Sequence, residues 1–125
     1  MAMHPFEHAN APSIEAAVGV LNETCRPLAG GTDLVAMMKE GLVAPERLVN
    51  VKTIPGLGEI DAREDRWHIG ALTTLAALAE DDGLRAQPAL AALVQAADAS
   101  ASPQLRQMGT LGGNLVQRPR CWYFR

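Results

Sequence analysis

Cysteine is scarce in this 125-residue sequence: Cys25 and Cys121 are the two present, far apart and without Cys-x-x-Cys spacing. That excludes a disulfide framework and a self-contained zinc site built on paired thiolates. A reducing, cytoplasmic compartment is the expectation, with a periplasmic location requiring co-export beside a signal-bearing partner. No apolar run approaches the ~20 residues that span a bilayer, and the leading Met-Ala-Met-His-Pro has neither the basic flank nor the apolar stretch of an export signal. Basic charge is not concentrated either. Eleven Lys+Arg against 14 Asp+Glu give a net charge of -3 with no basic block, so neither nucleic acid nor an anionic membrane is an expected partner. Aromatic residues make up 4% of the chain, and Trp122, Tyr123 and Phe124 fall within its last four positions. Chain ends fray in water, so an apolar cluster there implies that it docks or that a longer protein continues beyond it; the second is the expectation.

What is present belongs to a folded protein: 48% hydrophobic and 20% charged residues suit one compact domain or two small lobes. Pro12-Ser13 starts a helix whose apolar face would be Ile14, Ala17, Val18 and Leu21, at i, i+3, i+4 and i+7. Arg26-Pro27-Leu28-Ala29 reads as a short extended run, since proline disfavours helix for the residue before it. Thr32 is then expected to cap a helix with Leu34, Met37 and Met38 inside and Gly41 as its left-handed stop. Arg47 to Val51 reads as a strand, and Glu59 to Ala62 with Trp67 to Ala71 as a hairpin in which Trp67, Ile69 and Ala71 share a face. Thr74 caps a further helix around Leu75, Leu78 and Ala79; Pro88 opens another around Leu90, Leu93, Val94 and Ala97. From Ala99 to Asn114 the residues are small and polar, too long a stretch for a bare connector.

Two glycine segments carry the candidate chemistry. Pro27-Leu28-Ala29-Gly30-Gly31-Thr32-Asp33-Leu34 combines a strand, two glycines and a helix start. Such a loop lets backbone N–H groups approach a phosphate, but it also serves as an ordinary turn. Gly109-Thr110-Leu111-Gly112-Gly113-Asn114 is a second glycine-rich, hydroxyl-bearing run. It matches neither the Rossmann fingerprint nor a Walker loop, and by itself it also reads as a turn in a β-rich lobe. The pair is more informative, because two such loops can grip one diphosphate cofactor from two sides.

At Leu28-Ala29-Gly30-Gly31-Thr32-Asp33-Leu34, at Ile69-Gly70-Ala71-Leu72-Thr73-Thr74-Leu75, and from Ala101 through Asn114, the chain resembles the FAD-binding subunit of the molybdenum hydroxylases (xanthine dehydrogenase, aldehyde oxidoreductase, aerobic carbon monoxide dehydrogenase). The resemblance implies an α+β, two-lobed FAD-binding fold of the PCMH type, cut short here. Residues 1–52 would form the first lobe and 53–125 the start of the second. It implies that the FAD pyrophosphate lies on Pro27, Leu28, Ala29, Gly30, Gly31, Thr32, Asp33, Leu34 and Val35, with the Gly30, Gly31 and Thr32 backbone as principal donors. Gly109, Thr110, Leu111, Gly112, Gly113 and Asn114 would approach from the second lobe, with Gln117 as a polar neighbour. Electrons would pass from molybdenum through two-iron clusters to FAD and an acceptor. The molybdenum cofactor would sit on a large partner subunit and the two-iron clusters on a small one.

Gln117 to Phe124 resembles the bacterial aldehyde oxidoreductase branch that holds a four-iron four-sulfur cluster; the resemblance implies Cys121 as its first ligand, with the other cysteines in a longer parent chain beyond Arg125. The remaining residues read plainly. His4, His8 and His68 are expected at the surface, Met37 and Met38 as core filling, and Cys25 as a small buried apolar residue. No Ser, His and Asp arrangement suggests hydrolysis. Two other readings stand beside the flavin one: a non-enzymatic α+β interaction module with structural glycine loops, and a flavoenzyme domain of the vanillyl-alcohol-oxidase type.

Overall fold

The structure, a computed structural model, describes residues 3–119 and Tyr123. Three strands, β1 (Glu7–Asn10), β2 (Cys25–Leu28) and β3 (Arg47–Asn50), form a parallel sheet in the order β1-β3-β2. Helix α1 (Ile14–Val20) links β1 to β2, and α2 (Leu34–Lys39) links β2 to β3. The central strand is β3, and its Leu48 and Val49 are both 2% exposed, because a middle parallel strand is covered on both faces. Ala11, Ala17, Cys25, Val49 and Ile54 form the first core.

Strand β1 has no counterpart in the sequence reading. All four of its residues are exposed, so no alternation of apolar and polar residues marks it. It is an edge strand held by its ladder to β3, by an ion pair from Arg47 to Glu7, and by Asn50 Nδ2 donating to Asn10 Oδ1 at 2.8 Å. Helix α1 is where expected, with Ser13 Oγ accepting from the Ala16 N–H, but its buried face is narrower than the periodicity suggests. Ala17 is buried, whereas Ile14 and Val18 are 50% and 65% exposed. Two turns of helix bring one line of side chains, Ala17 with Leu21 beyond its end, into contact with that core. Helix α2 also differs at its start: Thr32 is exposed and is not its cap, and the cap position falls to Asp33 with no side-chain capping bond. Of its expected stripe Met38 is buried, while Leu34 and Met37 are half-buried beside a cleft. Gly41 ends it at φ +70°, as read.

The second half is mainly helical, which removes the reading of a glycine turn in a β-rich lobe. Strands β4 (Ile60–Ala62) and β5 (Trp67–Ile69) form the hairpin, shorter than expected, with Ile60 opposite Ile69. Pairing stops at Gly70, where a Cβ would lie 2.2 Å from the Leu57 carbonyl oxygen, and Ala71 is exposed and off the Trp67–Ile69 face. Then come α3 (Leu75–Glu80), α4 (Asp82–Arg85), a 3-10 turn at Pro88–Leu90, and α5 (Ala91–Ala99). Leu75, Leu78, Ala79, Leu84 and Ala97 make the second core, with Trp67, Ile69, Leu90, Leu93 and Val94 packed on it. The stretch after α5 contains α6 (Pro103–Arg106) and α7 (Leu111–Val116), so Gly112 and Gly113 lie within a helix and not in a loop. Gly112 admits that helix against the hairpin exit: its N–H donates to the Ala71 carbonyl at 2.8 Å, and a Cβ would lie 2.9 Å from the same oxygen. Among the described residues no helix is long and apolar enough to cross a membrane.

Thr74 joins these pieces, since its Oγ1 accepts from the Ala77 N–H at 3.1 Å and its backbone bridges to Thr110. Thr74→Ala is expected to destabilise the protein by about 1 kcal/mol, with Thr74→Ser nearly neutral, in urea unfolding.

Candidate functional site

Strand β2 ends at Leu28, and the loop that follows forms one wall of a cleft of about 460 Å³ outside the carboxyl end of the parallel sheet. Ligands favour that end in open α/β sheets, because loops there connect strand to helix and leave backbone groups available. Of the residues expected at a cofactor, Pro27, Ala29, Gly30, Gly31, Thr32, Asp33 and Leu34 line this wall. Thr110, Gly113, Asn114 and Gln117 line the opposite one. The two glycine segments therefore do converge on one space.

Five expected residues do not line it. The Leu28 and Val35 side chains pack around Gly31, the Gly109 backbone is turned against Leu105 and Thr32, Gly112 abuts Ala71, and Leu111 packs on the second core. Arg26, Met37, Val43, Val116 and Arg118 line the cleft and were not foreseen. A cation on the strand that runs into Gly30-Gly31 is the available signal for Arg26, whereas the spacing of Met37 places it in the core.

The two walls differ in what they offer. The backbone N–H groups of Gly30, Gly31 and Thr32 donate no hydrogen bond to any described residue, while the Gly31 carbonyl accepts from the Val35 N–H at 3.0 Å. Gly31 has φ +76°, which lets consecutive N–H groups point into a common concavity suited to an anion. Across the cleft the first backbone donors of α7 are already used. The Leu111 N–H goes to Thr73 O at 2.8 Å, the Gly112 N–H to Ala71 O at 2.8 Å and the Gly113 N–H to Thr110 Oγ1 at 3.2 Å. That wall presents side chains instead: Asn114 Nδ2 donates to Thr110 O at 2.9 Å, and Gln117 Nε2 to Asn114 Oδ1 at 3.2 Å.

Gly30 has a different task from the one its type suggests. A Cβ there would lie 1.7 Å from the Met108 carbonyl oxygen, so the residue is glycine because the second lobe's backbone touches it. Lys52 Nζ donates to the Ala29 carbonyl at 2.9 Å and fixes the loop from the sheet side. Arg26 and Arg118 add positive charge to the lining, against the single acid Asp33. Among the described residues no three metal-binding side chains come together. Cys25 is buried in the first core, His68 is exposed, and Cys121 lies outside the described residues.

A parallel strand, a glycine loop whose N–H groups have no acceptor among the described residues, and a helical second half across the cleft make up an α+β module with a cavity between its halves. The sequence profile described as the FAD binding domain in molybdopterin dehydrogenase matches residues 4–120, and the chain belongs to that family. It is similar to the carbon monoxide dehydrogenase medium chain of Afipia carboxidovorans, 40% identical over 112 residues, which is 87% of this chain and 38% of that one. It is also similar to the aldehyde oxidoreductase FAD-binding subunit PaoB of Escherichia coli, 35% identical over 125 residues, 99% of this chain and 38% of that one. Among solved structures, the Cu,Mo-CO dehydrogenase in its cyanide-inactivated form has a chain that superposes with a TM-score of 0.84 at 38% identity, covering 91% of this chain and 40% of that one. The chain thus spans about two-fifths of the length of these relatives.

Proposed function

We propose that this chain binds FAD in the cleft and acts as the flavin module of a molybdenum-containing oxidoreductase. Partner subunits there would carry the molybdenum cofactor and the two-iron clusters. The observation that carries the reading is the row of three backbone donors without a partner among the described residues, at Gly30, Gly31 and Thr32, in the wall of a cleft also lined by two arginines. Family membership supplies the ligand class that such a cradle suits.

When bound, the flavin supplies the redox chemistry, accepting an electron pair and delivering it onward. The residues of this chain bind and orient. The Gly30–Thr32 N–H groups would hold the pyrophosphate, Arg26 and Arg118 would offset its charge, and Asn114 and Gln117 would offer amide groups along the opposite wall. No acid–base or nucleophilic group in the cleft is required. A molybdenum substrate would not touch these residues. The four-iron cluster implied by Gln117 to Phe124 does not fit this chain by itself. Such a cluster takes four thiolates, and the sequence has Cys121 and the core-buried Cys25.

The test is a fluorescence-quenching titration with FAD and FMN. Donors aimed at a pyrophosphate that FMN lacks should make FAD bind at least tenfold more tightly, since hydrogen bonds to a charged group contribute about 1.5–3 kcal/mol each. Equal affinity for the two flavins would remove the pyrophosphate reading. Binding of neither would show that residues 1–125 do not hold a flavin by themselves.

A further inference from the structure

Between α5 and α6 the chain turns through Ala101 at φ +48°, a left-handed conformation that residues with a Cβ rarely adopt. The turn is held by a side chain from the far end of α6. Arg106 Nη1 donates to Ser100 O at 3.0 Å and to Ala101 O at 3.4 Å, and Nη2 lies 3.8 Å from Asp98 Oδ1. The Arg106 side chain is 17% exposed, little for an arginine, and its donors are directed at carbonyls that accept no backbone hydrogen bond from the described residues. Arg106 does not line the cleft.

What the clamp orients is a stiff segment. From Ser102 to Gly109 each turn is closed: the Arg106 N–H donates to Ser102 O at 3.0 Å, and the Gly109 N–H to Leu105 O at 2.7 Å. The far end is pinned by the Leu75 N–H on Gly109 O at 2.9 Å. With both ends held, the Met108 carbonyl is delivered to the spot 1.7 Å from where a Gly30 Cβ would be. Gly30 is the first of the three open donors.

We propose that Arg106 is a positioning residue for the phosphate cradle. Acting through the Ala101 turn and the Met108 carbonyl, it sets the orientation of the Gly30–Thr32 N–H groups from outside the cleft. The inference rests on the FAD reading above and adds to it a control point in the second lobe.

The experiment compares FAD and FMN titrations of the 125-residue chain carrying Arg106→Met, Arg106→Lys, Ala101→Gly, or Arg106→Met with Ala101→Gly, each with a thermal melt. A positioning role predicts that Arg106→Met weakens FAD about tenfold and FMN little, so that the FAD/FMN ratio falls. Arg106→Lys, which keeps a donor for one carbonyl, recovers part of the ratio. Ala101→Gly, which relaxes the turn the clamp restrains, recovers part of it in the double variant and leaves the ratio unchanged alone. A merely structural role lowers the melting temperature and weakens both flavins in proportion; that outcome, or an unaltered ratio, overturns the proposal. If Arg106→Met does not fold, the Arg106→Lys ratio decides: a value equal to wild type overturns it, a reduced one supports it. A wild-type chain with equal affinity for both flavins would sink the pyrophosphate reading itself, whereas a wild-type preference for FAD with an unaltered Arg106→Met ratio would sink the inference alone.

Discussion

Gly30→Ala is expected to release the second lobe from the Ala29–Asp33 loop and, on the proposed function, to leave the protein without flavin. The added methyl would lie 1.7 Å from the Met108 carbonyl oxygen and 2.6 Å from its carbon, and both are backbone atoms. A flexible side chain could swing away; a main chain closed at both ends cannot. Relief requires separating Ala29–Asp33 from Leu105–Gly109, which opens the cleft. The expected loss is about 3 kcal/mol, near the upper range for overpacking, and the melting temperature should fall by roughly 10 °C or more. Differential scanning calorimetry with a flavin assay checks it. A Gly30→Ala protein with the wild-type melting temperature would show that the two lobes do not meet at this point.

Gly31→Val should act differently, removing flavin with less damage to the fold. Valine at φ +76° is strained, because a branched Cβ crowds the backbone in the left-handed region. Its neighbours would be side-chain atoms, Val35 Cγ2 at 3.2 Å and Leu28 Cδ1 at 3.4 Å, and these can give way. The expected destabilisation is about 1–3 kcal/mol. A peptide forced back toward negative φ turns its N–H out of the cradle, and affinity for FAD should fall about a hundredfold, the worth of one or two charge-assisted hydrogen bonds. Gly31→Asn, which tolerates the left-handed conformation, should retain more flavin than Gly31→Val. A folded Gly31→Val protein, by circular dichroism, that keeps its full flavin complement would place Gly31 away from the cofactor.

Much of the architecture could be read from local pattern. Helix α3 was legible because Thr74 supplies its cap and Leu75, Leu78 and Ala79 its buried face within one short window. Strand β3 was legible because a central strand shows apolar residues in succession. Strand β1 was not, since its partners Arg47 and Asn50 lie forty positions away and its own residues are polar. Helices α4 and α6 are single turns started by Asp81 and Ser102 side chains, too brief for any period to show. At the site, the convergence of the two glycine segments was legible and the division of labour was not. Glycine type alone cannot distinguish a residue that admits a ligand from one that admits another stretch of chain, as Gly30 and Gly112 do. Nor can it show that the Leu111–Gly113 donors are already occupied by Thr73, Ala71 and Thr110.

The strand order β1-β3-β2 has a kinetic consequence. As the chain leaves the ribosome, β1 and β2 appear first, yet neither pairs with the other; both wait for β3, synthesised last of the three. The sheet is therefore assembled by non-local contacts, which form slowly because loop closure precedes any gain from pairing. The Ala29–Asp33 loop hangs from β2 and stays unsupported until β3 inserts, and again until Met108 arrives from the far side. An apoprotein caught between those events would expose its edge strands to other nascent chains. Flavin supplied during refolding should then raise the yield of native protein more than flavin added afterwards.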